Sequence, residues 1–294
     1  MYPRGGRVQT VKQLKELREV VDDLRQSGTI AMVPTMGALH EGHLTLVREA
    51  KRHADHVTAS IFVNPTQFGP NEDLDAYPRQ LAEDQRKLEA EGVALLWAPD
   101  VEEMYPKGFA TSISVAGVSE GLCGASRPGH FNGVATVVCK LFNQMRPDVA
   151  LFGEKDWQQL AVIRRMARDL DLTQPHAGNI VGVPTVREAD GLAMSSRNAY
   201  LSPDERASAG QLNQAMLRAI AQIESGAAVP ASLAALERAL LDAGFRSVDY
   251  ASLADADSLA LLDTTPTRPA RLLVAARIGT TRLIDNMHVE GKAA

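Results

Sequence analysis

The segment VPTMGALHEGHLTLVREA, Val33–Ala50, joins an apolar run to a helical pattern through a turn that carries Gly37, Gly42, His40 and His43. Upstream, TIAMVP is short, apolar and β-compatible; downstream, Leu44, Val47 and Ala50 recur at helical spacing. The alternation of strand and helix continues with VTASIFVN (Val57–Asn64), a helical LAEDQRKLEAEG ending at Gly92, a strand VALLWAP, a helix around VATVVCKLFNQM, a strand DVALFGE, a helix WQQLAVIRRMARDL and a strand NIVGVP. Before it, Val11, Leu14, Leu17, Val21 and Leu24 predict a helix stopped at Gly28. Strands separated by helices imply right-handed crossovers and a parallel sheet covered on both faces. The fold class is therefore α/β, a doubly wound parallel sheet spanning residues 1–185.

Beyond Thr185 the alternation stops. An Ala-rich region, Pro203–Gly244, predicts two helices interrupted near GAAVP, and SVDYASL, RLLVAARIG and TRLIDNMHV are strand candidates. Residues 186–294 are expected to form a smaller C-terminal α+β domain. The stretch from Pro99 to Gly133, rich in Gly, Ser and Pro, is long for a connection, and such loops are often functional.

The chain has 294 residues, 45% of them hydrophobic and 23% charged, with a net charge of −5. That balance argues against a nucleic-acid surface built on general basicity. Cys123 and Cys139 lack the spacing of a zinc or redox motif and are expected to be reduced packing residues. The N-terminus has no apolar signal core and no run long enough to span a bilayer, so the expected location is the cytoplasm, with no membrane partner.

Ligands of parallel sheets bind beyond the carboxyl ends of the strands, and polar residues collect there in this sequence. After the first strand, Gly37 and Gly42 permit a tight loop, and the N-terminus of the next helix offers N–H groups to an anion. His40 and His43, three apart, share a helix face and can point at one phosphate. The competing readings are a solvated surface pair and a metal pair, although H-E-x-x-H metal motifs place their histidines four apart. After the second strand, Asn64 and Gln67 suit a small polar substrate, followed by Asp73, Asp75, Tyr77 and Asp84. After DVALFGE comes Lys155, a point charge for phosphate, and Asp156, a metal ligand or a helix cap. In READGLAMSSRN, Arg187–Asn198, the group Ser195, Ser196 and Arg197 makes a phosphate clamp.

Taken in order, VPTMGALHEGH, IFVNPTQFGPNEDLDAYPR, RPGHFNGVATVV, LFGEKDWQQL and READGLAMSSRNAYLS resemble the pantothenate synthetase (pantoate–β-alanine ligase) family of the HIGH-type nucleotidyltransferases. The resemblance covers Pro34 to about Ser202 and implies a Rossmann-like first domain and a C-terminal domain closing over ATP. It also implies an AMP-forming ligase that condenses pantoate with β-alanine through a pantoyl adenylate, releasing AMP and pyrophosphate with the help of Mg2+. By motif position, His40, His43, Lys155 and Arg197 are the expected catalytic groups. Met36, Gly37, Ala38, Leu39, Glu41, Gly42, Gly153, Glu154, Asp156, Val186, Met194, Ser195 and Ser196 join them around ATP, with Asp156 toward the metal. Gln67 and Gln159 are the expected pantoate ligands, with Asn64, Tyr77 and Arg127 toward the acyl and amine end. Trp157 is read as packing. A homodimer is the implied assembly. The alternatives are a nucleotidyltransferase acting on a phosphorylated substrate, a tRNA-charging protein, disfavoured by the acidic balance, and a binding protein that keeps the fold.

Overall fold

A computed structural model describes residues 8–70 and 72–291. In chain order its elements are β1 (Gln9–Val11), α1 (Leu14–Ser27), β2 (Ile30–Thr35), α2 (Glu41–Ala50), β3 (His56–Ile61), α3 (Leu81–Ala90), β4 (Leu95–Trp97), α4 (Val101–Met104), α5 (Leu122–Ser126), α6 (His130–Met145), β5 (Val149–Gly153), α7 (Trp157–Asp169), β6 (Ile180–Val183), α8 (Pro203–Ala209), α9 (Gln211–Ser225), α10 (Val229–Asp242), β7 (Ser247–Asp255), β8 (Ala270–Ile278) and β9 (Thr281–Val289). They fall into two compact units. Of the described residues, the first takes those up to Ser119 with Arg127–Glu154 and Gln159–Pro184; the second takes Glu120–Ser126, Lys155–Gln158 and those from Thr185 onward.

In the first unit, β1 to β6 form one sheet in the order β1-β4-β3-β2-β5-β6, each neighbouring pair parallel. Ile30, Ala31, Met32 and Val33 of β2 are all fully buried, as a strand covered on both faces requires. Ala31 and Val33 join Val57, Ala59 and Leu96 against Leu46, Val47 and Ala50 of α2 and Leu88 of α3. Ile30 and Met32 alternate to the other face. From β2 the chain steps outward through β3 and β4, then returns to the other side of β2 for β5 and β6. The winding reverses between β2 and β5, and in such sheets that reversal opens a crevice at the carboxyl ends of the strands. Thr35 and Gly153 are the residues at those two ends.

The second unit carries an antiparallel sheet, β7-β8-β9. Leu272, Val274 and Ala276 of β8 pack with Leu212, Met216 and Ile223 of α9 and Leu236 and Leu240 of α10. The register sets Asp285 opposite Val274 and Asn286 opposite Leu273, so two polar residues stand in the buried middle of β9.

Three expectations are corrected. Val11 ends the short strand β1, paired with Trp97, and does not belong to the helix stripe, which consists of Leu17, Val20, Val21 and Leu24. The Ala-rich region forms three helices, because α8 stops before Gly210 and α9 starts after it. The stretch Pro99–Gly133 contains α4, α5 and the first turn of α6, which begins at His130, four residues earlier than the apolar run suggests.

Candidate active site

The turn after β2 is held from below. Gly37 has φ 86° and Ala38 has φ 52°, a left-handed pair that only a well-supported loop keeps at a residue with a side chain. The support is Asp84 of α3, fully buried, whose two carboxylate oxygens accept from Ala38 N at 2.9 Å and Leu39 N at 2.8 Å. Lys87, one turn further along α3, donates to Leu39 O at 2.8 Å.

The two histidines then cap α2 reciprocally. His40 is the N-cap, and its Nδ1 accepts from Gly42 N at 3.1 Å; His43 is the third helical residue, and its Nδ1 accepts from His40 N at 3.3 Å. This is the geometry of a capping box with imidazoles in place of hydroxyl and carboxylate. The rings lie 4.1 Å apart at an interplanar angle of 41°. An Nδ1 that accepts from an N–H carries no proton, so each neutral ring holds its proton on Nε2. The open N–H groups expected at this helix end are thus partly taken: Gly42 N and His40 N are satisfied by the rings, and the Nε2–H groups become the donors.

Beyond β3, Pro65–Gln67 form a 3-10 turn capped by Asn64. Asn64 is 1% exposed and fully engaged: Oδ1 accepts from Thr66 N, Thr66 Oγ1 and Tyr105 OH, and Nδ2 donates to Gln67 Oε1 at 3.1 Å and Gly133 O at 3.2 Å. Gln67 Nε2 lies 2.8 Å from Met36 Sδ, so the turns after β2 and β3 meet at this amide. Helix α6 approaches the Gln67 turn so closely that a Cβ on Gly133 would lie 2.4 Å from Thr66 O. The backbone at both places would have to move. We expect Gly133→Ala to cost ~1–3 kcal/mol, as overpacking does, and to displace Gln67. Thermal melting checks this, a melting point equal to the parent being the contrary result.

Arg127 forms a bidentate pair with Glu72, Nε to Oε1 at 2.6 Å and Nη2 to Oε2 at 2.5 Å, and also donates to Gln67 O at 3.2 Å. His130 Nδ1 donates to the same carbonyl at 2.8 Å and its Nε2 accepts from Arg127. Burial raises the Glu72 pKa, but the hydrogen bonds and charge of Arg127 outweigh it and hold the carboxyl below its ordinary value. A depressed carboxylate contributes stability that is complete above its unfolded pKa of about 4.3 and fades as pH falls through the folded value. The stability gap between the parent and Glu72→Gln should therefore be steady at neutral pH and close in acid. Denaturant titrations at pH 7 and at low pH measure it; a gap that widens in acid would reverse the assignment.

In the second unit, Lys155 Nζ lies 3.7 Å from Asp156 Oδ2, and Lys155 O accepts from Asn286 Nδ2 at 2.8 Å. Met194 N donates to Val186 O at 2.9 Å, which closes the hairpin of READGLAM, and Ser195 Oγ caps the following turn by accepting from Arg197 N at 3.3 Å. Among the described residues, no group of three or more His, Cys, Asp and Glu side chains is arranged to hold a metal ion.

A family model described as pantoate-beta-alanine ligase matches residues 9–288. The chain belongs to that family. A pantothenate synthetase of Novosphingobium aromaticivorans is 72% identical over 283 residues, covering 96% of this chain and 99% of that protein. The crystal structure of pantothenate synthetase from Thermus thermophilus superposes with a TM-score of 0.88 at 48% identity, covering 95% of this chain and 99% of that one. A pantoate-beta-alanine ligase from Francisella tularensis, solved in complex with beta-gamma ATP and beta-alanine, superposes with a TM-score of 0.80 at 32% identity over 98% of this chain and 100% of that one.

In this ligase the first unit gathers Met36–His43, Asn64, Gln67 and Arg127 around the turns that follow β2 and β3, with Gly153 and Glu154 where β5 ends. The second unit gathers Lys155 and Asp156, and separately Val186 with Met194–Arg197. Tyr77 is 5% exposed and packs edge-on to Phe68, with ring centroids 5.9 Å apart. In α7, Gln159 is half-buried, whereas its neighbour Gln158 is buried and bonded to Cys123 N and Glu120 O. Sequence reasoning missed Gly133, His130, Asp285 and Asn286, and passed over Asp84 as one acid among several.

Proposed function

We propose that this chain acts as a pantoate–β-alanine ligase through a pantoyl adenylate. It condenses pantoate with β-alanine at the expense of ATP. A carboxylate is a poor acylating agent, so its oxygen attacks the α-phosphorus, pyrophosphate leaves, and the amine of β-alanine then displaces AMP from the acyl carbon. The protein's task is to hold the reactants in line and to stabilise charge moving onto pyrophosphate.

The observation that carries this reading is the imidazole capping box after β2, at the point where the winding of the sheet reverses. It presents two Nε2–H donors on a rigid loop whose Met36 also contacts the Gln67 amide. In this reading those donors bind ATP phosphates, Gln67 and Gln159 bind pantoate, and Asn64, already fully bonded, positions Gln67. Arg127, paired with Glu72, fixes the Gln67 carbonyl together with His130. Lys155, Ser195, Ser196 and Arg197 bind phosphate. Asp156, a carboxylate 43% exposed beside Lys155, would be the protein group to hold Mg2+. When bound, the ion neutralises phosphate charge. The reading includes a homodimer in the cytoplasm. Among the described residues no helix is long and apolar enough to cross a membrane.

The test is an assay with ATP, Mg2+ and pantoate, with and without β-alanine. Pyrophosphate release that needs pantoate, and AMP release that needs the amine, support the reading; AMP release without the amine argues against it. Gln67→Ala should weaken pantoate by about tenfold or more, the cost of losing one or two substrate hydrogen bonds, and leave ATP affinity within about twofold. Equal losses for both substrates would mean that Gln67 only shapes its loop.

A further inference from the structure

Lys155 follows β5 in the chain, yet its carbonyl is bonded from β9, and the ring two residues on is covered from β8. Asn286, 3% exposed, donates Nδ2 to Lys155 O at 2.8 Å, and its Oδ1 accepts from Arg271 Nη1 at 2.8 Å. The Arg271 guanidinium stands 3.5 Å from the centroid of the Trp157 ring, whose Nε1 donates to Ala256 O at 2.9 Å. The backbone carbonyl of residue 155 and the ring of residue 157 are thus both gripped, with Asp156 between them. On the neighbouring position of β9, Asp285 accepts from Arg187 Nη1 at 2.6 Å and Nη2 at 3.0 Å, and Arg187 donates to Gly191 O at 3.0 Å within the hairpin that leads to Ser195–Arg197.

Two adjacent polar residues in the buried middle of a strand, opposite Val274 and Leu273, are costly where apolar side chains would pack. Their bonds go to the two segments assigned to phosphate. Resting on the phosphate role proposed above for Lys155, we propose that Asn286 is a positioning residue for adenylate formation: it fixes the peptide of Lys155, and so the direction of its side chain, while Asp285 fixes Arg187 at the root of the hairpin that leads to Ser195–Arg197. A purely structural polar pair would stabilise the fold without favouring either half-reaction.

Asn286→Asp separates these readings, because the carboxylate still accepts from Arg271 but no longer donates to the Lys155 carbonyl. A misplacement on the scale of an ångström costs on the order of 10²-fold, so pantoate-dependent ATP–pyrophosphate exchange should fall by about 10- to 100-fold. Pantoate affinity and the reaction of preformed pantoyl adenylate with β-alanine should stay within about twofold of the parent, the split expected when a single phosphate-binding group is misplaced. The decisive step repeats the substitution in a Lys155→Ala background, where a residue that acts through Lys155 has little left to lose. A loss that vanishes there supports the inference. A loss that persists in full on a Lys155→Ala enzyme already impaired in exchange overturns the inference alone. A Lys155→Ala enzyme that exchanges pyrophosphate at the parent rate overturns the phosphate role of Lys155, and the inference with it. Should Asn286→Asp not fold, Arg271→Lys, which keeps the charge but loses the guanidinium stack on Trp157, should give the same split between half-reactions at smaller size; equal losses in both would count against it.

Discussion

Replacing His43 by glutamine should leave the fold intact and lower pantoate-dependent pyrophosphate exchange by about 10²- to 10³-fold, the scale of losing one oriented donor at developing charge. The two duties of this ring make the choice of substitution matter. Its Nδ1 caps α2 by accepting from His40 N, and its Nε2–H is the donor proposed for ATP. A glutamine at this helix position can still accept from the N-cap N–H, as in an ordinary capping box, but its amide donor sits on a longer, freely rotating chain and is not held in the direction the imidazole ring fixes. Alanine removes both duties and should add a stability loss of about 1 kcal/mol to a similar loss of activity. Thermal melts of the two variants beside their exchange rates separate cap from chemistry. Parent-like exchange in His43→Gln would show that the ring serves the helix and not the phosphate.

Most of the sheet is legible because buried parallel strands are nearly unbroken apolar runs, and β2, β3 and β5 each bury four consecutive positions. β1 and β4 have three residues each, too short for periodicity to speak, and Val11 fits the helical stripe of α1 as well as the strand it ends. The site is legible to the extent that its groups are polar residues placed at strand ends. What supports them is not. Asp84 holds the turn after β2 from 45 positions away, and Gly133 reads as an ordinary helix residue until α6 is seen against Thr66. Asp285 and Asn286 sit in a strand whose apolar neighbours hide them, and their partners Arg187 and Lys155 are about a hundred residues distant or more. The histidine spacing is the exception: three residues from N-cap to third helical position is the spacing of a capping box, so the helix start is encoded there beside the chemistry.

Arg197→Ala should slow adenylate formation by about 10³-fold or more while leaving the attack of β-alanine on preformed pantoyl adenylate within a few-fold of the parent. The asymmetry follows from where charge moves. In the first half-reaction negative charge builds on the departing pyrophosphate, and a guanidinium on its oxygens stabilises the transition state more than the ground state. In the second, pyrophosphate is gone and the leaving group is AMP, so an arginine devoted to the outer phosphates has little left to stabilise. The local geometry suits that role: Ser195 caps the turn through the Arg197 N–H, and Asn198 Nδ2 donates to Ala193 O at 3.1 Å, so the backbone under the side chain is fixed at both ends. Lysine at this position keeps the charge but loses the planar fork and should restore only part of the rate. Pantoate-dependent pyrophosphate exchange reads the first step, and a single turnover of isolated adenylate with β-alanine reads the second. A larger loss in the second would put the guanidinium at the acyl or α-phosphate centre, where it would act on the departure of AMP.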